Sequence, residues 1–433
     1  MKLILGLGMT GFSIASFLNK HNINYKIADS NNNPKLLVKY NKKFPLCKPI
    51  LGKWDKKLLI DVDEIFISPG IEKTQSIVVW ANNKGIPITS DIELFSRYAN
   101  APVIGITGSN GKSTVTKLLA DMIINDGKKA VFGGNIGIPA LDCLSSEVDY
   151  YVLEISSFQL DYTNNLNLLA AVVLNITPDH LNRYKCFDEY KNSKLSLYKY
   201  CKYPVFNLTQ SLNLKNNCAK YFTIGLAENH NVFGTIVKNN ILYLTKGNDI
   251  LISANEVKLI GKHNILNILA ALALSYQIGL NINNVLKSIK SFIGLEHRLE
   301  LFTSKKNIDY YNDSQATSAI ATISAIKTIS TKYKDIVLIA GGTSKPEDYS
   351  ELYKIINKRI TCVILIGKNA YDFALGIKKT KILHAKTIKQ AVYLSNGIIT
   401  DGAILLSPAC ASFDMFDNSK HRGDEFKKCV LNS

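Results

Sequence analysis

The chain has 433 residues, 46% hydrophobic and 20% charged, a balance that builds buried cores and excludes both a disulfide-stapled peptide and a disordered polymer. At roughly 150 residues per domain, this length predicts about three domains. The 52 Lys+Arg against 35 Asp+Glu give +17, but 47 of these cations are lysines spread along the chain with no dense basic block, a pattern that more often makes a solvated surface than a groove for nucleic acid.

The five arginines (Arg97, Arg183, Arg298, Arg359 and Arg422) are the informative cations, because an ammonium cannot replace a planar, bidentate guanidinium. The eight cysteines show neither CxxC pairs nor zinc-ligand spacing and read as reduced thiols of a cytoplasmic protein. The apolar stretch 2–18 is interrupted by Gly6, Gly8 and Gly11, so it reads as strand, turn and helix and not as a leader. No apolar run approaches the roughly 20 residues that span a bilayer.

In chain order, a strand at 2–5 runs into Gly6-Leu7-Gly8-Met9-Thr10-Gly11 and a helix, the full context of a G-x-G-x-x-G turn. A second strand, 25–28, ends in Asp29, where a dinucleotide fold places an acid for the ribose. A third, 64–67, ends at Ser68-Pro69-Gly70. Together they describe half of a doubly wound domain with a nucleotide at its switch point. The fingerprint leaves the kind of nucleotide open, and a tight turn alone would also need these glycines.

After a short helix at 91–95, a strand from 103 leads into Thr107-Gly108-Ser109-Asn110-Gly111-Lys112-Ser113-Thr114 and a helix at 115–124. This is a variant P-loop, since Ile106 stands where the strict motif has glycine. Backbone N–H groups, a helix N-terminus and the Lys112 ammonium suit phosphate oxygens, and Ser113 suits Mg²⁺. Strands at 150–153 and 170–174 end in Glu154-Ile155-Ser156-Ser157-Phe158-Gln159 and Asn175-Ile176-Thr177-Pro178-Asp179-His180. Glu154 offers a hard oxygen ligand beside a P-loop, whereas His180 alone is an ordinary polar residue until a partner is found.

Short alternating segments across 202–258 predict a β-rich elaboration of the second domain. Gly261-Lys262-His263-Asn264 then opens a helix running to 276, with Asn264 and Asn267 on one face. From 295 a third α/β segment begins, with strands at 308–311, 336–340, 362–366 and 403–406 and helices at 316–329, 351–357 and 388–394. Polar clusters follow its strands: Asn312-Asp313-Ser314-Gln315-Ala316-Thr317, Gly341-Gly342-Thr343-Ser344-Lys345 and Ser407-Pro408-Ala409-Cys410-Ala411-Ser412. The predicted class is α/β with three domains: a Rossmann-like 1–91, a P-loop-type ATPase domain 92–294 with a parallel sheet plus the β-rich piece, and a Rossmann-like 295–433.

These motifs, taken in order with His297-Arg298 and the run Leu406-Ser407-Pro408-Ala409-Cys410-Ala411-Ser412-Phe413-Asp414, resemble the Mur ligases of peptidoglycan synthesis over the whole chain. That last run, with Arg422, Gly423 and Phe426 after it, is most similar to the branch that adds D-glutamate. The resemblance implies a cytoplasmic, monomeric enzyme in which ATP phosphorylates the carboxylate of UDP-N-acetylmuramoyl-L-alanine and the amine of D-glutamate attacks the acyl phosphate. It implies neither a nucleic-acid partner nor membrane insertion.

Carried over by resemblance, Gly108, Ser109, Asn110, Gly111, Lys112, Ser113 and Thr114 hold ATP, with Asn267 and Asp313 at adenine and ribose and Arg298 near the phosphates. Ser113 and Glu154 hold one Mg²⁺, and His180 and a carbamylated Lys194 hold a second. Met9, Thr10, Asp29, Ser30, Gly70, Asn135 and His180 meet the UDP-substrate; Thr317, Lys345, Ser412 and Phe413 meet D-glutamate. The catalytic set is Lys112, His180, Lys194, Arg298 and Lys345. Three departures from the family pattern stand out: Gln315 replaces a lysine, Asn31 replaces a cation beside the uridine nucleotide, and Ser419 replaces an apolar contact to D-glutamate. Other readings of the same residues are a sister Mur ligase or folylpolyglutamate-type ligase, a NAD-dependent oxidoreductase built on Gly6 to Gly11 and Asp29, and a nucleic-acid-stimulated NTPase.

Overall fold

The structure is a computed structural model that describes residues 1–180, 183–210, 219–225, 229–259, 261–344 and 347–433. It divides into two compact units, Met1–Phe292 and Ile293–Ser433, and among the described residues the strands form three sheets. No helix among the described residues is long and apolar enough to cross a membrane.

The first sheet runs Ile50–Leu51, Tyr25–Asp29, Lys2–Leu5, Glu64–Ile67, Ile88–Thr89, all parallel. Lys2–Leu5 lies between Tyr25–Asp29 and Glu64–Ile67, so the turns after it and after Glu64–Ile67 open at the switch point. The turn requires glycine there: a Cβ on Gly11 would lie 1.8 Å from the Gly6 carbonyl oxygen, so the helix Met9–Lys20 can pack onto the strand end only without one.

The second sheet has nine strands. From Ala130–Gly134 through Tyr150–Glu154, Val103–Thr107, Leu168–Val173, Cys201–Asn207 and Lys220–Phe222 to Val232–Lys238 they pair in parallel. Ile241–Lys246 and Asp249–Ser253 add an antiparallel edge, so the β-rich piece extends the ATPase sheet and does not form a sheet of its own. Val103–Thr107 is buried along its whole length, as a strand with helices on both faces must be. Ile104, Val115, Leu119, Val172 and Leu269 fill one face. On the other face a single core runs from Ile4, Phe17 and Phe66 through Phe95 to Tyr151, Leu168 and Tyr190, which makes residues 1–292 one packed body.

The second unit carries a six-stranded sheet, Glu300–Lys305, Ile308–Asn312, Gly402–Leu406, Ile336–Gly341, Cys362–Ile366, Lys381–His384, antiparallel only at its first pair. Two helix starts differ from the sequence reading. The P-loop helix begins at Lys112, three residues early, because Gly111 in the left-handed region (φ +84°) makes the turn directly. The helix expected from 316 begins at Ala319, where the Ser318 hydroxyl accepts the Ala321 N–H; the preceding residues are held in a turn by Ala316 N–H to Asp313 O.

Candidate functional site

The P-loop is held from both neighbouring strands. Ser109 N–H donates to the Asn175 carbonyl (2.8 Å), Asn110 N–H donates to Asn175 Oδ1 (2.8 Å), and Asn175 Nδ2 returns a bond to the Asn110 carbonyl (2.9 Å). Ser109 Oγ takes the Thr177 N–H at 3.0 Å and lies 2.9 Å from the Tyr190 hydroxyl. At Gly111 a Cβ would stand 2.2 Å from Asn267 Oδ1, so the loop and the helix Lys262–Gln277 meet at a distance only glycine permits. Asn267 is buried and donates to Asn264 Oδ1 at 3.2 Å.

The side chains predicted from separate motifs converge here. Ser113 Oγ donates to Glu154 Oε2 at 2.6 Å, and Asn135 Nδ2 donates to Glu154 Oε1 at 2.8 Å. Lys112 Nζ lies over the loop, within 2.9 Å of the Gly108 and 3.0 Å of the Ser109 carbonyl oxygens. Lys194, on the helix Phe187–Leu195, is 2% exposed and donates to the same Gly108 carbonyl at 3.0 Å, with its ammonium above the Tyr190 ring. Burial, aided by the Lys112 charge, lowers Lys194 to about 7, so its amine is substantially neutral near neutral pH.

His180 is exposed and sits in the left-handed region (φ +53°). Its ring packs against Phe158, and the Arg183 guanidinium lies over the same phenyl ring, 3.9 Å from its centroid. Desolvation and then the charges of Lys194, Lys112 and Arg183 lower the His180 pKa, against the pull of Asp179, whose carboxylate lies 3.5 Å from Nε2; the shift favours the neutral imidazole. Among the described residues no three His, Cys, Asp or Glu side chains gather into a metal cage.

A cleft of about 220 Å³ in the first unit is lined by Met9, Thr10, Pro69, Asn135 and Gln159, among others. It unites Met9 and Thr10 with Asn135, which were predicted from different motifs. Ser30 and Gly70 are exposed at the strand ends. Asp29 is held in place by the turn: its two oxygens accept the N–H groups of Leu7 (2.6 Å) and Asn31 (2.8 Å).

The second unit gathers its own set. Asp313 is buried, accepting the Leu299 N–H (3.0 Å) and the Ser407 hydroxyl (2.8 Å); burial raises it to about 7 against these bonds and the charge of Arg298. Arg298 is exposed. Ser412 is buried, Thr317 is half-buried and Phe413 is 67% exposed. Lys345 lies outside the described residues. Arg422, 1% exposed on the helix Ser419–Leu431, spends its guanidinium on Ser314 Oγ (3.0 Å), Ser314 O (2.8 Å) and Cys410 O (3.1 Å). It is a clamp between two polar clusters.

Sequence reasoning passed over Asn175, Gln159, Tyr190 and Ser407. The first two and Ser407 lay inside quoted motifs without a role. Tyr190 had one signal, its i,i+4 spacing to Lys194, which puts both on one helix face.

The comparisons with known proteins agree along the chain. The Mur ligase middle domain matches residues 106–275, and the Mur ligase MurD-like N-terminal domain matches residues 1–90. The UDP-N-acetylmuramoylalanine--D-glutamate ligase of Pseudomonas savastanoi pv. phaseolicola is 38% identical over 435 residues, covering 99% of this chain and 97% of that protein. The enzyme of the same name from Coxiella burnetii is 40% identical over 446 residues, covering 99% and 98%. Among solved structures, UDP-N-acetylmuramate-alanine ligase from Thermotoga maritima superposes with a TM-score of 0.63 at 16% identity, covering 100% of this chain and 99% of that one. A pseudomurein peptide ligase type C from Methanothermus fervidus gives 0.60 at 17% identity, with the same coverage. With its N-terminal and middle segments matched and its length shared end to end, the chain belongs to the Mur ligase family.

Proposed function

We infer that this chain joins D-glutamate to UDP-N-acetylmuramoyl-L-alanine at the expense of ATP, in peptidoglycan precursor synthesis in the cytoplasm. The observation that carries this is identity of 38–40% to D-glutamate ligases over 99% of the chain. The competing oxidoreductase reading falls with the family assignment, which employs the P-loop, Glu154 and His180 that it left idle.

In the reaction an alanyl carboxylate oxygen attacks the γ-phosphorus of ATP and ADP leaves. The D-glutamate nitrogen then attacks the acyl carbon, loses a proton, and phosphate departs as the amide forms. The first step brings an anion to a polyanion, so cations and N–H donors must surround the transferring group. Gly108 to Thr114 cradle the phosphates, Lys112 neutralises them, and Asn267 takes the adenine. Arg298 and Asp313 complete ATP recognition, Asp313 at the ribose. Met9, Thr10, Asp29, Ser30, Gly70, Asn135 and His180 bind the UDP-substrate. Thr317, Lys345, Ser412 and Phe413 bind D-glutamate. Residues 1–91, 92–294 and 295–433 serve as the three functional segments, and the chain acts as a monomer.

Ser113 and Glu154, with oxygens 2.6 Å apart, fit Mg²⁺, which takes hard oxygen donors and retains places for phosphate and water. Bound Mg²⁺ supplies charge stabilisation to the transferring phosphoryl group. A second ion would be held by His180 and Lys194. An ammonium cannot ligate a cation, but Lys194, lowered to about 7, is neutral often enough to add CO₂ and become a carbamate. The test of the function is phosphate release from ATP that depends on both UDP-N-acetylmuramoyl-L-alanine and D-glutamate. Release with another amino acid and none with D-glutamate would refute it.

A further inference from the structure

Asp91 opens the helix Asp91–Ser96 and is 3% exposed, yet the chemistry above gives it nothing to do. A carboxylate is kept in such a place only with a partner. That partner is the buried Gln159, whose Nε2 donates to both Asp91 oxygens at 3.0 and 3.1 Å. The other end of the amide is also taken: Ser156 brings its N–H and its hydroxyl to Oε1, each at 3.0 Å. A flipped amide would set Oε1 against the carboxylate and Nε2 against the Ser156 N–H, so the two partners fix one orientation. Burial raises Asp91 to about 6, opposed by the Gln159 amide and the N–H groups of Ile92 and Asp91; above that pH it only accepts.

The two hydrogens on Nε2 diverge by about 120°, so one is shared between the carboxylate oxygens and the second has no acceptor among the described residues. Gln159 lines the cleft that holds Met9, Thr10 and Asn135. We propose that Asp91 is a positioning residue for substrate binding: by fixing the Gln159 amide, it presents the second N–H to an acceptor oxygen of the UDP-substrate in that cleft. This rests on the cleft being the nucleotide-sugar site of a ligase. Mere docking of the helix does not need Asp91, because Ser90 Oγ already meets Thr163 Oγ1 at 2.8 Å and a Glu93 oxygen accepts the Asn164 N–H at 2.6 Å.

The test separates positioning from support, using the full chain. Asp91→Asn replaces one of the two oxygens on Nε2 with a donor and should raise KM for UDP-N-acetylmuramoyl-L-alanine about tenfold, the scale of one lost hydrogen bond, with kcat and KM for ATP within about twofold. Adding Gln159→Glu to Asp91→Asn restores complementary donors and acceptors inside the protein but removes the N–H at the cleft. The double variant should therefore melt with the parent while KM stays raised. Recovery of KM together with the melting temperature, or no change in KM for Asp91→Asn, overturns the proposal. If Asp91→Asn does not fold, Gln159→Met in the natural chain reads the same contact; an unchanged KM there also overturns it. The parent, assayed alongside, keeps the other failure distinct: no phosphate release with both substrates refutes the ligase reading itself.

Discussion

Among the described residues two cationic side chains, one in each unit, are buried almost completely, and they are treated differently. Arg422 makes three hydrogen bonds, to Ser314 and Cys410, and burial lowers it only to about 10; it stays charged and ties the clusters that follow two strands. Lys194 has one hydrogen bond, to the Gly108 carbonyl, and is lowered to about 7. A buried charge with a partner on every nitrogen serves the fold, whereas one left short of partners and shifted toward neutrality suits the chemistry proposed above. Removal of each should therefore fail in a different measurement.

The largest effect is expected at the P-loop. Lys112→Ala and Lys194→Met should each lower kcat by about a thousandfold, the scale of a lost electrostatic contribution to phosphoryl transfer, with melting temperatures close to the parent's. Retained turnover in Lys194→Met would break the contrast, and ¹³C NMR under labelled CO₂ should show a carbamate resonance in the parent that the variant lacks. Arg422→Ala should do the reverse. It leaves two buried carbonyls and the Ser314 hydroxyl without their donor, a cost of about 3 kcal/mol or more, read as a lower denaturant midpoint. Arg422→Lys should recover little of it, since an ammonium cannot reproduce the fork.

A smaller effect is expected at Asp313, where binding and stability oppose each other. Its carboxyl is raised to about 7 in the fold and sits near 3.9 when unfolded, so between those values the folded state binds more protons and stability falls as pH rises. Above pH 7 the cost of the buried charge is fully present. Asp313→Asn removes that charge and keeps an acceptor for the Leu299 N–H, so it should gain about 1–2 kcal/mol at pH 8 and nothing at pH 4. KM for ATP should rise about tenfold as the ribose contact weakens. Equal stability gains at both pH values would show that Asp313 is not raised.

Much of the fold was legible because its strands are continuous apolar runs punctuated by glycine and polar clusters, and the P-loop, Glu154 and the Asn312 to Thr317 cluster all stand at strand ends as parallel sheets require. What sequence did not disclose were partners fixed by packing. Asn175 looks like any strand-end amide until it is seen to bond the Ser109 N–H and both main-chain groups of Asn110. Asp29 reads as a ribose ligand from its position, and only the fold discloses that its oxygens also accept the N–H groups of Leu7 and Asn31. The helix Ser419–Leu431, which carries the Arg422 clamp, has a weakly apolar sequence whose burial depends on Phe426 and Val430 reaching a core assembled from distant strands. Such long-range satisfaction has no local signature.

The smallest effect should come at Gln315, one of the three departures from the family pattern. Gln315 is half-buried in the turn that follows Ile308–Asn312, held through its own N–H to the His297 carbonyl at 3.0 Å. That anchoring is main-chain, so changing the side chain leaves the turn, Asp313 and the Ser318 cap undisturbed. A lysine there adds one cation on the side of the turn assigned to ATP, and an exposed or half-exposed charge in water contributes about 1 kcal/mol or less. Gln315→Lys should therefore raise kcat severalfold with the melting temperature unchanged. A rate that stays level or falls would mean that the existing cations, Arg298 among them, already saturate the phosphates, and that the distinction between cations held for chemistry and cations held for structure does not extend to this turn.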